Sequence, residues 1–394
     1  GDLSVRLHAL QPFKVSARKP RVGSFWPGRP LDGALFSQYT KPNCVEKEIM
    51  ASDNYLLWLA NETPTVWWHD SADPEELRVG IERGCVGVTT NPVLSHTALT
   101  ANRPLFEAQI QAVPKNLAPE RKAEELMAIV VRNAAKMVEP IYERTGHKFG
   151  YVCAQLNPMR AWDAETMLQA ARRHHSWAPN IAVKVPVTLA GLEVMEELAA
   201  EGMTFTATVS YNVPQILAVA ECYQRGLARA RANGGPTGRA FVTQMIGRID
   251  DYLRDVVIDN HAAVSESDIR QAGLAMAKRI YSIYKERGYE AVFLVAALRG
   301  NYHMTELAGA ELVMSIHPTY QEKLLQPGVP REERFGVPID PKVIARLQTV
   351  PEFVRSYEPD GMKPKEFISF GVVQRTLTQF YESGWKLLET FDLG

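Results

Sequence analysis

From about residue 65 to residue 317 the chain alternates short, β-branched apolar runs with longer stretches whose apolar residues recur every three to four positions. The runs are TVWWHD, VGVTTN, YVCAQL, IAVKVP, MTFTATV, RAFVTQM, AVFLVAA and ELVMSIH. Short strands separated by helices are the signature of parallel βα units, and eight such strands close a barrel. The pattern therefore predicts an α/β chain built on a single (β/α)8 TIM barrel.

Local punctuation supports the alternation. Asp73 stands at a predicted helix N-cap with Pro74 at the first helical position and Gly84 where the helix stops, and Thr188 and Gly202 bracket the helix after IAVKVPV in the same way. Between the second and third strands the spacing predicts an amphipathic helix near 118–142, with Leu126, Ile129, Val130 and Met137 on one face. Residues 1–43 are rich in Pro, Gly, Lys and Arg with weak periodicity, which predicts an arm whose Phe25 and Trp26 dock on the main domain. After the eighth strand come QPGVPREERFGVP, YEPDGMKPKEF and an amphipathic helix near 372–390. The division expected is an N-terminal arm and lead-in helix over 1–60, a barrel over 61–325, and a C-terminal helical extension packing on it over 326–394.

Strand parity adds chemistry to the fold. Side chains alternate along a strand, so one set faces the barrel interior and the other the helices. In IAVKVPV the branched set Ile181, Val183, Val185 and Val187 belongs against the helices, which turns Ala182, Lys184 and Pro186 inward. The same rule turns Asp70, Thr89, Asn91, Gln155, Thr208 and Thr243 inward, each near the C-terminal end of its strand. That face of a barrel carries the active site, with groups contributed by several strand ends. An ammonium or carboxylate is costly to desolvate unless paired, so Lys184 and Asp70 are either a structural ion pair or reactive groups. A lysine in an apolar site loses its proton more readily and its amine then attacks a ketone. A carboxylate beside it moves the proton of the substrate hydroxyl. Parity assigns Trp68 to barrel filling, His69 to a buried, hydrogen-bonded position outside the barrel, and His317 to the substrate side of the eighth strand. His174 and His175 fall in a polar helix and are expected to be solvated.

Composition narrows the function. With 44 Lys and Arg against 45 Asp and Glu the formal charge is −1, so no basic field invites nucleic acid or an anionic membrane surface. An anionic ligand must then be held by local arginines. Cys44, Cys85, Cys153 and Cys222 show no metal-ligand or CxxC spacing and read as reduced thiols of a cytoplasmic protein. No apolar run approaches the roughly 20 residues of a membrane span, and the segment GDLSVRLHAL lacks the pattern of a secretion signal. Nothing in the pattern calls for a metal or an organic cofactor, and it leaves room for a homo-oligomer.

The sequence resembles the transaldolase family, which includes transaldolases and fructose 6-phosphate aldolases. The resemblance is carried by HDSA at 69–72, GVTTNP at 87–92, VKVPVTLAGL at 183–192, TVSYNVPQ at 208–215, IGRIDDYL at 246–253 and LRGNYHMTELAGAE at 298–311. Each is short, but their order over roughly 65–320 makes the likeness specific. It implies sugar phosphate substrates, Lys184 as the imine-forming residue, Asp70 as acid and base, Thr89 and Asn91 on substrate hydroxyls, and Thr208 placing the catalytic water. Arg248 and Arg299 resemble the family's phosphate-binding arginines, a role that guanidinium suits because it binds phosphate bidentately.

Three positions depart from the family pattern. Gln155 stands where transaldolases carry Glu, as in the aldolase branch; Met245 stands where transaldolases show Phe and the aldolases Tyr; Ala297 replaces a serine that assists phosphate binding. Transfer of a dihydroxyacetone unit between sugar phosphates is the leading expectation. Cleavage with release of free dihydroxyacetone, and a noncatalytic sugar-phosphate-binding barrel, are the alternatives.

Overall fold

The computed structural model describes residues 54–394. The predicted arm with Phe25 and Trp26, Cys44, and the chain up to residue 53 lie outside the described residues. Asn54 caps helix α1 (Tyr55–Glu62) by accepting from the amides of Leu56 and Leu57. There follow β1 (Val66–His69), α2 (Pro74–Glu82) and β2 (Gly87–Val88), then α3 (Pro92–Ala101), α4 (Arg103–Gln111) and α5 (Pro119–Arg144) before β3 (Tyr151–Gln155). The alternation continues through α6 (Ala164–His175), β4 (Ile181–Pro186), α7 (Leu189–Ala200), β5 (Phe205–Thr208), α8 (Val213–Ala232) and β6 (Ala240–Met245). It ends with α9 (Ile246–Asp259), α10 (Glu266–Ile269), α11 (Ala272–Arg287), β7 (Val292–Ala296), α12 (Asn301–Thr305) and β8 (Val313–Ile316).

All neighbouring strands are parallel, and β8 pairs with β1, Trp68 opposite Ser315, so the sheet closes as an eight-stranded (β/α)8 barrel in sequence order. The predicted punctuation is present. Asp73 accepts from the amides of Glu75 and Glu76, Thr188 accepts from Gly191, and Gly84 and Gly202 adopt φ of +93° and +75°, a conformation that favours glycine. The barrel interior is filled by aromatic rings: Trp68 and Tyr151 lie 4.6 and 5.4 Å from the Phe241 ring. Gly87 makes room for Trp68, because a Cβ there would stand 2.5 Å from the indole. Trp68 is barrel filling, as its size and parity suggest.

Two expectations are corrected. His174 is fully buried rather than solvated, its ring stacked 4.0 Å from Trp177. It ends the inward stripe Met167, Ala170, Ala171 of α6, so helical periodicity outweighed the polar neighbours that suggested solvent. His175 is half-buried. The amphipathic segment near 372–390 is interrupted: α17 (Gly371–Phe380) passes through a π-helical turn at Tyr381–Trp385 into α18 (Lys386–Glu389).

Between β8 and α17 lie α13 (Pro318–Leu324), α14 (Pro341–Leu347), α15 (Pro351–Tyr357) and α16 (Pro364–Phe367). The last segment then packs on elements that leave different strands at their C-terminal ends. The π-helical turn sits on α3, and α17 touches both α9 and the 3-10 turn Pro158–Arg160. Gly384 comes so close to the start of α3 that a Cβ would lie 2.5 Å from the Val93 amide nitrogen. The end of the chain thus borders the mouth of the barrel.

Candidate active site

In β4 the branched residues Ile181, Val183 and Val185 are wholly buried against the helices, and Lys184 turns inward with 7% of its surface exposed. Its Nζ donates to the carbonyl oxygen of Thr90 at 2.8 Å, and among the described residues it makes no ion pair. The Thr90 peptide is itself held, because its hydroxyl donates to the Cys153 carbonyl at 2.8 Å. Neighbouring β3 places Gln155 in register with Lys184. Burial pushes the Cys153 thiol above its ordinary pKa, while the nearby Lys184 charge lowers it and that of Asp70 raises it. The two charges suggested by parity therefore converge on one region of the barrel.

Asp70 follows β1 and accepts from the Thr89 hydroxyl at 2.7 Å. Thr89 Oγ1 also lies 2.5 Å from Ser315 Oγ of β8, so three neighbouring strand ends share one hydrogen-bonded chain. Ser315 is a residue that motif reasoning missed, although it shares the inward parity of His317. Asn91 is the N-cap of α3, its Oδ1 accepting from the Leu94 amide at 3.0 Å. Its amide NH2 is uncommitted among the described residues. His317 caps α13 through Nδ1, which accepts from the Thr319 amide at 3.2 Å. His69 lies outside the barrel, where Gln321 Nε2 donates to its Nδ1 at 2.9 Å, and burial lowers its pKa to about 4.

Gln155, Thr208 and Thr243 form the other wall. Each is at most 2% exposed, and Gln155 Oε1, Thr208 Oγ1 and Thr243 Oγ1 have no hydrogen-bond partner among the described residues. Buried polar oxygens without partners are uncommon and costly. Three on the inner faces of β3, β5 and β6 mark places where water or substrate hydroxyls belong. The backbone after Thr208 is strained as well: Val209, a β-branched residue, adopts φ of +55°. Gln215 Nε2 holds the Val209 carbonyl at 3.1 Å.

The two arginines sit side by side beyond β6 and β7. Arg248 is in the first turn of α9; its Nη1 donates to Gln379 Oε1 of α17 at 2.6 Å, and its guanidinium carbon lies 5.4 Å from the Phe380 ring centre. Its Nε is buried and has no partner among the described residues. Burial lowers its pKa from the ordinary value; the Arg299 charge adds to the fall, while Tyr211, Asp251 and Asp70 oppose it. Arg299 is differently placed from a free phosphate ligand. Its Nε and Nη2 both stand 2.8 Å from Asp251 Oδ2, and Nη1 donates to the carbonyls of Ala297 and Leu298 at 2.9 and 3.2 Å. Met245 is buried at the end of β6, and Ala297 adopts φ of +57°.

A closed parallel barrel whose amine, carboxylate and uncommitted hydroxyls gather at the C-terminal strand ends has the architecture of a barrel enzyme. The chain belongs to the transaldolase/fructose-6-phosphate aldolase family, whose model matches residues 67–364. It is 29% identical over 340 residues to a transaldolase of Thiobacillus denitrificans, covering 82% of this chain and 93% of that protein. A transaldolase of Neisseria meningitidis is 26% identical over 81% of this chain and 84% of its own length. A probable transaldolase of Dehalococcoides mccartyi is 29% identical over 61% of this chain and 80% of its own. The chain is an enzyme of the transaldolase/aldolase kind. Among the described residues no helix is long and apolar enough to cross a membrane.

Proposed function

We propose that this enzyme transfers a dihydroxyacetone unit from a ketose phosphate to an aldose phosphate through an imine on Lys184, as a cytoplasmic protein working without a metal or organic cofactor. The observation that carries the reading is the Lys184 amine, buried inside the barrel, committed only to one carbonyl and free of an ion pair among the described residues. Its neutral form adds to the C2 carbonyl of the ketose, and loss of water gives the protonated imine, an electron sink. Asp70 takes the proton of the C4 hydroxyl as the C3–C4 bond breaks, the aldehyde leaves, and the three-carbon unit stays as an enamine. Addition of the enamine to an acceptor aldehyde returns that proton from Asp70, and water then frees the new ketose from Lys184.

In this reading Thr89 orients Asp70, Asn91 holds a substrate hydroxyl through its free amide, and Gln155, Thr208 and Thr243 position the water and the remaining hydroxyls with their uncommitted oxygens. Arg248, with a buried free Nε–H, is the principal phosphate ligand, and Arg299 assists from its pair with Asp251. The division into arm, barrel and C-terminal extension at 1–60, 61–325 and 326–394 is part of the same proposal.

One observation favours a second reading. The neutral amide of Gln155 beside Lys184, rather than a carboxylate, suits an enzyme that releases free dihydroxyacetone instead of passing it on. The test is direct: incubate with fructose 6-phosphate, reduce with borohydride, and map the adduct by mass spectrometry. A three-carbon addition on Lys184 supports imine chemistry. No adduct under turnover, or one on another lysine, overturns it.

A further inference from the structure

Outside the groups used above, one hydrogen-bonded pair of titratable residues is buried completely among the described residues. Asp250 of α9 and His303 of α12 are both 0% exposed, with His303 Nε2 2.9 Å from Asp250 Oδ2. Their partners show what they hold: Asp250 Oδ1 accepts from the Gly273 amide at 2.8 Å, and His303 Nδ1 accepts from the Arg299 amide at 3.1 Å. The pair therefore ties the helix that carries Arg248 to the loop that carries Arg299.

Two further contacts draw the same segments together. The Gly247 amide donates to the Ala297 carbonyl at 3.2 Å, and Asp251 pairs with the Arg299 guanidinium. The approach is so close that a Cβ on Gly247 would stand 2.3 Å from the Ala297 oxygen and 2.4 Å from Arg299 Cγ. Ala297 holds its left-handed backbone at this junction, a conformation that is strained for an alanine and persists only where its surroundings enforce it.

The imidazole has a defined polarity here. Because an amide N–H can only donate, Nδ1 facing Arg299 must be a bare acceptor, and the proton must sit on Nε2, where the Asp250 carboxylate accepts it. We propose that the buried Asp250–His303 pair is the positioning device of the phosphate site: Asp250 fixes the His303 tautomer, and His303 thereby fixes the Arg299 backbone at a set distance from Arg248. This rests on the reading that the two arginines receive the substrate phosphate. A carboxamide in place of Asp250 presents an N–H toward Nε2, draws the His303 proton to Nδ1, and leaves two donors facing each other at Arg299.

The experiment compares full-length Asp250→Asn, His303→Gln and His303→Asn with the parent, using fructose 6-phosphate and unphosphorylated fructose as donors. His303→Gln keeps a donor toward Asp250 but loses the acceptor for the Arg299 amide; in His303→Asn the side-chain oxygen stands near the Nδ1 position and keeps it. For Asp250→Asn and His303→Gln the expected result is a KM for fructose 6-phosphate raised tenfold or more, kcat within about threefold, and little change with fructose. His303→Asn should return KM toward the parent value. Arg299→Ala should raise the same KM, and adding Asp250→Asn to it should cost nothing further.

Equal losses of kcat with both donors, or a KM that does not follow the acceptor at position 303, overturn the inference. If Asp250→Asn does not fold, the contrast between His303→Gln and His303→Asn decides the matter by itself. If Arg248→Ala and Arg299→Ala both leave the preference for fructose 6-phosphate unchanged, the phosphate reading fails instead. If they abolish that preference while the pair's variants do not, only the positioning role fails.

Discussion

The Lys184 ammonium donates to the Thr90 carbonyl across 2.8 Å, and no carboxylate shares it among the described residues. The amine is thus steered by a backbone dipole and makes no ion pair among the described residues. Lys184→Met, which keeps the length and apolar stem, should abolish the borohydride-trapped adduct and turnover together. The fold should survive, since the single hydrogen bond lost is worth about 1 kcal/mol. A mutant that still turns over fructose 6-phosphate at near the parent rate would remove Lys184 from the chemistry.

Asp70 is held by the Thr89 hydroxyl at 2.7 Å, so its carboxylate is oriented before substrate arrives. Asp70→Asn preserves the shape but cannot take a proton. The imine should still be trapped, while carbon–carbon cleavage slows by ~100-fold or more, the scale of a lost acid/base. Single-turnover kinetics separate the two steps, and near-normal cleavage in the variant would assign the proton transfer elsewhere.

These two residues were legible because a strand has a period of two, and one branched apolar set in IAVKVPV leaves only one direction for Lys184. The same arithmetic reaches Gln155, Thr208 and Thr243, and on β8 it turns Ser315 inward together with His317 two residues on. Loops obey no such period. Nothing near Arg299 in the sequence announces Asp251 as its partner, nor His303 as the acceptor of its amide. The contact between Arg248 and Gln379 joins residues 131 positions apart, and local pattern does not say which loop a late helix will reach. His174 is hard to place for a related reason: its polar neighbours Arg172, Arg173 and His175 mask a buried stripe that only the helical repeat reveals.

Burial also gives the fold an acid-sensitive side. His69 titrates at about 4 and His174 at about 3, both lowered first by desolvation from an ordinary 6.5. Between pH 6.5 and those values the unfolded chain binds protons that the folded chain refuses, so stability is complete above about pH 6.5 and falls as the pH drops toward 4. At about 1.4 kcal/mol per pKa unit, His69 alone accounts for a loss on the order of 3 kcal/mol. His174→Phe keeps a ring beside Trp177 and takes no proton. Its urea-melt stability should decline less steeply over that range than the parent's; an unchanged slope would contradict the assignment.

The π-helical turn makes its own prediction through Gly384. A Cβ there meets the backbone of Pro92 and Val93 at 2.6 and 2.5 Å, atoms that cannot swing aside as a side-chain tip would. Gly384→Ala should lower stability by ~1–3 kcal/mol. Because the displaced backbone begins the helix capped by Asn91, KM for the ketose should rise as well. Thermal denaturation and steady-state kinetics on the same preparation check both effects, and a fall in Tm with unaltered KM would separate the turn from the site.

The final prediction concerns which branch of the family chemistry this enzyme follows, and it uses Arg248, Gln379 and Gln155 together. Arg248 offers a buried, uncommitted Nε–H, and its Nη1 is engaged by the neutral Gln379 Oε1. Removing its charge-assisted hydrogen bonds in Arg248→Ala should weaken use of phosphorylated donors by ~1.5–3 kcal/mol, with a much smaller effect on unphosphorylated ones. Gln379→Glu places an anion on the same guanidinium and should mimic much of that loss, whereas Gln379→Ala should not. If the enzyme is a transferase, the enamine outlives departure of the aldehyde, so erythrose 4-phosphate is consumed with fructose 6-phosphate far faster than free dihydroxyacetone accumulates. Gln155→Glu, which sets a carboxylate in register with Lys184, should then preserve or improve transfer. Rapid release of dihydroxyacetone without any acceptor, unaffected by erythrose 4-phosphate, assigns the enzyme to the aldolase branch.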